Sequence, residues 1–199
     1  MLITESYREQ QEHLHETTNY GTASIQYAPL VSQIIDRLGV EHLLDYGSGA
    51  RCNLMGAMFG PESQCRPKLE HVTDGRKFKY QAYDAGVPKY SGMPIPAQLV
   101  CCIDVLEHVE PECLDDVLDH LQKLTEVAIF LTVHTGPARK TLPDGRNAHI
   151  NQQPMWYWLP KFWERFDIHT VQVTGEHAFH CICYAKPRAI ESLDGTKAA

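Results

Sequence analysis

Three short apolar segments of the sequence each carry an aspartate at or just after their end, and this arrangement limits the folds open to the chain. The segments cover residues 42–46, 78–83 and 99–103, and the aspartates are Asp45, Asp84 and Asp104. Predicted helices alternate with predicted strands along the chain, which indicates parallel strands joined by right-handed crossovers. In such sheets the carboxyl ends of the strands lie at one edge, where ligands bind.

The remaining segments complete an α/β pattern. Apolar residues at helical spacing predict a helix over residues 27–38, and proline at first-turn positions predicts two more, after Pro111 and after Pro154. Strands are predicted at 127–133, 168–173 and 178–185, and long loops at 61–76 and 134–151. The last two strands share a tight turn and must be antiparallel. We expect a doubly wound, mostly parallel Rossmann-like sheet with a late antiparallel strand.

Length and composition are those of one globular domain. The chain has 199 residues, which we divide into an arm (1–24), a domain (25–186) and a tail (187–199). A net charge of −7 disfavours a duplex nucleic-acid surface, because phosphate binding needs clustered Lys and Arg. No apolar run is long enough to cross a bilayer, and the N-terminus does not resemble a signal peptide. The seven cysteines fit reduced thiols, so we expect a cytoplasmic protein without a metal site.

A glycine-rich turn, Gly47-Ser48-Gly49, follows the first predicted strand. Glycines there allow close approach of a ligand, and the next helix offers free N–H groups. A dinucleotide fingerprint needs a third glycine where Cys52 stands, so that fingerprint fails. A cofactor without phosphate, such as S-adenosylmethionine (SAM), needs room for an amino-acid tail and an acid for the ribose.

The segment from Leu43 to Gly49 resembles motif I of the class I SAM-dependent methyltransferases. Tyr83-Asp84 resembles the acidic end of their second strand, and the D-V-L-E-H run at 104–108 resembles the segment after their fourth. The likeness extends from about residue 20 to residue 185. Residues 142–149 also resemble a methyltransferase-like subgroup of bacteria and their phages.

The resemblance implies SAM as cofactor and assigns residues to it. Asp45 and Gly47, with the neighbouring Tyr46, Ser48 and Gly49, would hold the methionine part. Asp84 would bind the ribose hydroxyls, while Asp104 and Val105 would lie near the sulfonium and the adenine. Two departures stand out: Arg51 replaces the third glycine of motif I, and only 14 residues separate Asp84 from Leu99. We therefore expect the third strand of the family to be missing or vestigial.

Methyl transfer needs a base only when the acceptor is a hydroxyl or a protonated amine. Histidine titrates near neutral pH, so His134 and then His149 are the predicted bases, whereas His108 is expected to be structural. The basic residues of the 134–150 loop predict either a clamp for an anionic acceptor or a solvated lid.

These observations predict a methyltransferase for a small or medium-sized acceptor, with an oligomeric state that the sequence does not indicate. Amino-methylation of DNA bases is disfavoured because the Asn/Asp-Pro-Pro-Tyr/Phe type of segment is absent. Two alternatives stay open. One is a degenerate methyltransferase-like module that binds or regulates a partner, and the other is an enzyme that uses SAM without methylation, such as a SAM-cleaving one.

Overall fold

The structure, a computed structural model, describes residues 1–18, 22–61, 68–73 and 76–187. The helices are α1 (Glu5–Thr17), α2 (Ser24–Leu38), α3 (Asn53–Phe59), α4 (Leu114–Leu124) and α5 (Met155–Arg165). The strands are β1 (His42–Tyr46), β2 (Lys68–Thr73), β3 (Arg76–Tyr83), β4 (Ala97–Ile103), β5 (Thr125–His134), β6 (Phe166–Val173) and β7 (Ala178–Ala185). Within this part of the chain, no helix is long and apolar enough to cross a membrane.

The strands form one sheet in the order β2-β3-β1-β4-β5-β7-β6. The four central strands β3, β1, β4 and β5 are parallel, and β2, β7 and β6 pair in antiparallel fashion. Tyr46 of β1 pairs with Tyr83 of β3 and with Cys102 of β4, so these three strands end side by side. The predicted α/β fold with late antiparallel strands is confirmed.

Alternating residues of the central strands bury the two faces of the sheet against different helices, as the period of two along a strand requires. Leu44 and its neighbours in register pack toward α4 and α5, where Trp158 and Phe162 are fully buried. Leu43 packs on the other face toward α2 and α3, among residues such as Val31. The protein therefore has two hydrophobic cores, one on each face of the sheet, and helices cover both.

Two predictions about the segments on either side of β3 have different outcomes. The loop predicted over 61–76 is wrong in part, because β2 lies within it and pairs with β3 through backbone hydrogen bonds that polar composition does not reveal. Residues 84–96 are all described and contain no strand, only a short 3-10 turn at Pro88–Tyr90. The third strand of the family is thus missing there, and β2 occupies the edge next to β3.

Of the two predicted chain ends, the structure describes the N-terminal one and almost none of the C-terminal one. Residues 1–24, predicted as an arm, contain α1, whose Tyr7 and Leu14 are buried against the domain. The predicted tail lies outside the described residues from residue 188 onward. The six cysteines of the described residues are all buried free thiols, in agreement with the expectation of reduced cysteines.

Candidate active site

The turn after β1 requires glycine for two reasons. Gly47 and Gly49 have φ angles of +80° and +64°, which side chains rarely adopt. A Cβ on Gly47 would also lie 2.2 Å from Cγ2 of Val105, so the turn and the segment after β4 are in direct contact. The N–H groups of Gly47 and Ser48 donate to the Tyr83 carbonyl at 2.7 and 3.1 Å, which ties the turn to the end of β3.

The third left-handed position of this turn is Cys52, directly before α3. Its φ is +46°, and its side chain is fully buried. The resemblance to motif I puts the missing glycine at Arg51, but the structure shows that Cys52 is the residue with the positive φ. A non-glycine residue there costs backbone strain, which the surrounding packing must offset.

Asp84 joins two glycine turns. Its Oδ2 accepts from the Gly49 N–H and its Oδ1 from the Gly86 N–H, both at 2.9 Å. A carboxylate has about four acceptor sites, so each oxygen can still accept another bond. The side chain lies at the end of β3 and lines the cavity described below.

Asp104 follows β4 in a left-handed conformation, with φ +51°. Its N–H donates to Oγ1 of Thr132 at 2.8 Å, and the Thr132 hydroxyl donates back to the Asp104 carboxylate. Asp tolerates this conformation better than most residues. The reciprocal bonds hold the turn after β4 against β5.

One cavity lies at the carboxyl ends of β1, β3 and β4. It encloses about 890 Å³ of empty space including its open mouth. Six of the residues that line it come from the turns and strand ends where cofactor binding is predicted: Tyr46, Gly47, Gly49, Asp84, Asp104 and Val105. The structure therefore brings together most of the predicted cofactor residues.

The cavity is acidic. Asp84, Asp104 and Glu110 line it, and in the described parts of the chain no lining residue is Lys or Arg. The Glu110 carboxylate accepts from the N–H and hydroxyl groups of Thr4 at 2.8 and 2.6 Å, which anchors the start of α1. Such a lining suits a cationic ligand and does not suit a pyrophosphate, which needs N–H donors and positive charge.

Asp45 and Ser48 do not line the cavity. Asp45 is buried beneath the turn, where its carboxylate accepts from the Tyr80 hydroxyl. Burial raises the pKa of Asp45 to about 7, although the hydrogen bond from Tyr80 acts in the opposite direction. Ser48 is also buried, and its hydroxyl lies 3.4 Å from the Gly49 carbonyl.

The predicted bases His134 and His149 lie next to each other, with ring centroids 4.9 Å apart. Neither lines the cavity, but His149 lies 4.7 Å from His108, centroid to centroid, and His108 does line it. Burial lowers the pKa of His149 and lowers that of His108 to about 3, so both rings are neutral at pH 7. His108, expected to be structural, is thus the histidine of this group that reaches the cavity.

Several solved structures with a similar fold are methyltransferases. The 1,6-didemethyltoxoflavin-N1-methyltransferase of Burkholderia thailandensis, with bound S-adenosylhomocysteine (SAH), matches 89% of this chain and 84% of its own at 14% identity, with a TM-score of 0.57. Magnesium protoporphyrin IX methyltransferase of Synechocystis PCC 6803, also with SAH, matches 91% of this chain and 97% of its own at 14% identity, with a TM-score of 0.53. The chain has the fold of the SAM-dependent methyltransferases.

A SAM-dependent methyltransferase of Aquifex aeolicus shares this methyltransferase fold, over 88% of the present chain and 98% of its own, at 10% identity and a TM-score of 0.54. No protein-family model matches the sequence, and no curated protein does. At such low identities the likeness establishes the fold, and the chemistry must be argued from the residues of the site.

The connection from β5 to α5, residues 135–154, is called the His149 loop below. Its Arg146 pairs with Asp144 at 2.7 Å and lies over the ring of Tyr7, with 5.9 Å between the guanidinium carbon and the ring centroid. Leu142 and Ala148 of the loop pack with Tyr7 and Leu14 of α1. The loop therefore packs against α1. Because Arg146 is paired with Asp144 and lies over Tyr7, it is not positioned as the predicted clamp for an anionic acceptor.

Several residues of the site were not predicted from the sequence. Tyr7, Gln11 and His15 of α1 line the cavity, but the polar segment around them gives no signal for that role. Glu107 was given no role in the sequence analysis, yet it is completely buried and its carboxylate accepts from the N–H of His134 at the end of β5. Its position next to His108 in the D-V-L-E-H run was the one available indication.

Proposed function

We propose that this protein is a SAM-dependent methyltransferase that acts on a small or medium-sized acceptor. The observation that carries the proposal is the convergence of three turns on one cavity. The turns follow β1, β3 and β4, and they contribute Gly47, Asp84 and Asp104 to its lining. Open parallel sheets bind their ligands in this position.

The charge of the cavity supports SAM over a dinucleotide. SAM carries a sulfonium and an ammonium, and the carboxylates of Asp84 and Asp104 attract both through a partly buried, less polar medium. A dinucleotide would bring two negative phosphates toward the same carboxylates. The N–H groups of Gly47 and Ser48, which a phosphate could use elsewhere, already donate to the Tyr83 carbonyl.

Each cofactor residue has a proposed role. Asp84 accepts hydrogen bonds from the ribose hydroxyls through the acceptor sites that its two backbone bonds leave. Tyr46 and the glycine turn from Gly47 to Gly49 border the methionine part, and Asp104 and Val105 lie near the sulfonium and the adenine. Asp45 lies beneath the turn and does not line the cavity, so we propose that it stabilises the turn and does not contact the cofactor.

Bound SAM supplies an electrophilic methyl group, and the protein must align an acceptor with it. His149 is neutral at pH 7 because burial lowers its pKa, so it has a lone pair to accept a proton from an acceptor. His134 lies beside it, and its backbone N–H donates to Glu107 at 3.0 Å, which fixes the end of β5. We propose these two histidines as the groups that receive the acceptor proton; His108, which lines the cavity, lies next to His149.

Titration calorimetry with SAH, and with an SAH analogue that lacks both ribose hydroxyls, tests the cofactor and the role of Asp84 together. We expect SAH to bind the wild-type protein and the analogue to bind roughly tenfold more weakly or worse, since hydrogen bonds to a charged group are lost. The Asp84→Asn variant should bind both ligands weakly and distinguish them little.

Asp36→Asn, on the exposed side of α2, is the matched control and should bind both ligands as the wild type does. Circular dichroism of each variant separates a folding defect from a binding defect. No binding of SAM or SAH by the folded wild-type protein would overturn the proposal. Equal affinities for SAH and its analogue would overturn the role of Asp84 alone.

Incubation of the protein with SAM alone distinguishes methyl transfer from the other uses of the cofactor. We expect SAM to stay intact over many times the period in which an added acceptor is methylated. Steady breakdown without an acceptor would identify a SAM-cleaving enzyme instead. Binding of SAM without transfer to any acceptor in a broad small-molecule panel would favour a binding module.

A further inference from the structure

A glutamate and two histidines meet beside the cavity, and one of them, His108, lines it. Glu107 and His108 belong to the short 3-10 turn Leu106–His108 after β4, and His149 belongs to the His149 loop. One potential ligand atom from each residue lies within 4.8 Å of the corresponding atoms of the other two. Forty-one positions separate His108 from His149 in the sequence, so only the fold brings them together.

Glu107 is the unusual member of this group. Its side chain is completely buried, and its Oε1 accepts from the His134 N–H. Its Oε2 is also buried and has no hydrogen-bond partner among the described residues. Leaving a buried acceptor unsatisfied costs about 1–3 kcal/mol, and more for a charged group, so native proteins nearly always provide a partner.

Both histidines are oriented by backbone carbonyls. Nδ1 of His108 lies 2.7 Å from the Ala148 carbonyl, and Nδ1 of His149 lies 2.7 Å from the Gly136 carbonyl. A carbonyl only accepts, so each Nδ1 carries the hydrogen and each neutral ring has its lone pair on Nε2. Histidines that bind metals are usually held in this way, with one nitrogen donating to a carbonyl or carboxylate.

We propose that Glu107, His108 and His149 bind one divalent transition-metal cation beside the cavity, at the point where His108 lines it. Two imidazoles and one carboxylate form a ligand set typical of catalytic Zn²⁺, with a further coordination position left open. Hard cations such as Mg²⁺ and Ca²⁺ prefer oxygen ligands and fit this set less well. The cation would satisfy Oε2 of Glu107, which has no hydrogen-bond partner among the described residues.

The position of the site suggests its use. His108 lines the cavity, so the open coordination position would face the space where an acceptor lies. A coordinated hydroxyl loses its proton more readily because the cation lowers its pKa. With the cation bound, Nε2 of His149 would be a ligand, so the acceptor proton would pass to His134. This use rests on the proposed methyl transfer, whereas binding of the cation does not.

Metal binding is tested on the metal-free protein in the absence of SAM. We would titrate Zn²⁺ in competition with a chromophoric chelator, and record the visible absorption of the Co²⁺ form to report the ligand set. We expect one strong site per chain, with Co²⁺ bands typical of nitrogen and oxygen ligands. Bands from thiolate ligands, or less than one equivalent of tightly bound Zn²⁺, would overturn the proposal.

Two variants and a control connect the binding to two of the three residues. Glu107→Gln keeps the acceptor for the His134 N–H but removes the charge, and His149→Ala removes a ligand. Each should weaken Zn²⁺ binding roughly tenfold or more. His169→Ala, on the outer strand β6 and away from the cavity, should bind like the wild type.

Circular dichroism confirms that the variants are folded, and unchanged Zn²⁺ affinity in both folded variants would contradict the site. Calorimetry with SAH on the same proteins keeps this outcome separate from the proposed function. A failure of metal binding with normal SAH binding would remove only the metal site. The reverse result would remove only the cofactor.

Discussion

Gly47 meets two separate constraints, and they can be measured apart. Its φ of +80° disfavours any side chain, and Val105 occupies the space that a Cβ would need. Gly145 shares only the first constraint, because its φ is +87° but no atom lies within 4 Å of the point where its Cβ would stand. The two glycines therefore form a matched pair in one protein.

We predict that Gly145→Ala lowers the free energy of unfolding by about 1 kcal/mol, the cost of a left-handed alanine. Gly47→Ala should lower it by clearly more, since Val105 and the turn after β4 must also move. Urea unfolding of both variants measures the difference. Equal losses would show that the contact with Val105 is easily relieved.

Asp45 makes stability depend on pH. In the folded protein burial raises its pKa from the ordinary 3.8 to about 7, so it keeps its proton when the unfolded chain has already lost its own. The stability linked to this proton is fully present below about pH 4 and is lost as the pH rises through about 7.

We predict that Asp45→Asn becomes more stable relative to the wild type as the pH rises, because asparagine still accepts from Tyr80 and has no proton to lose. The free energies of unfolding at about pH 5 and about pH 8 provide the comparison. A difference between the two proteins that stays constant with pH would contradict the raised pKa.

Some of these residue-scale features could be predicted from the sequence, and others could not. Gly47 and Gly49 were predictable because a left-handed turn is a local property of glycine. The left-handed Cys52 was not, because packing around it decides its conformation. The meeting of Glu107 with His149 depends on the path of a long loop, which no local pattern determines.

At the scale of elements, α1 forms part of the cavity wall. Tyr7, Gln11 and His15 are four residues apart and therefore lie on one face of the helix. Thr4 caps the helix and bonds to Glu110 in the turn before α4, which anchors its first turn to the domain. The face carries polar groups toward the cavity, so it lacks the broad apolar stripe by which a sequence indicates a packed helix.

We predict that SAH slows amide hydrogen exchange in α1 by at least several-fold, because a ligand in the cavity contacts the inner face of the helix. The helix α5, which contributes no residue to the cavity lining, serves as the internal control and should change little. Mass spectrometry of exchange with and without SAH tests this. Equal protection of both helices would indicate a general stabilisation rather than contact with α1.

For the molecule as a whole, the sheet divides two cores that contain most of the cysteines. Cys102, Cys181 and Cys183 lie in one core, and Cys52 and Cys101 in the other. Burial raises the pKa of Cys101 and of Cys102, which suppresses the reactive thiolate. The thiols therefore report on the integrity of both cores.

We predict that a Cys65→Ser variant, which leaves the six buried thiols, reacts with Ellman's reagent only on the timescale of unfolding. In denaturant all six should react at once. Cys65 lies outside the described residues, so its removal simplifies the count. Rapid reaction of two or more thiols in the native variant would show that one of the cores opens locally.

The fold class was predictable because alternating helices and strands leave few ways to pair, but the order of the strands was not. The segment containing β2 has the composition of a loop, and its strand is established only by hydrogen bonds to β3 at the edge of the sheet. Tertiary pairing overrides local composition most easily at such an edge.

The short connection from Asp84 to Pro96 limits how the cavity can change its width. It must return across the sheet from the end of β3 to the start of β4 without an α-helix. Val87 and Tyr90 are buried, and the Asp84 N–H donates to the Tyr90 carbonyl at 3.0 Å, so the segment is packed against the domain. A connection this short and this well packed leaves the ends of β3 and β4 little freedom to move apart. To admit a bulkier molecule, the cavity must therefore widen on its other side, where α1 packs against the His149 loop.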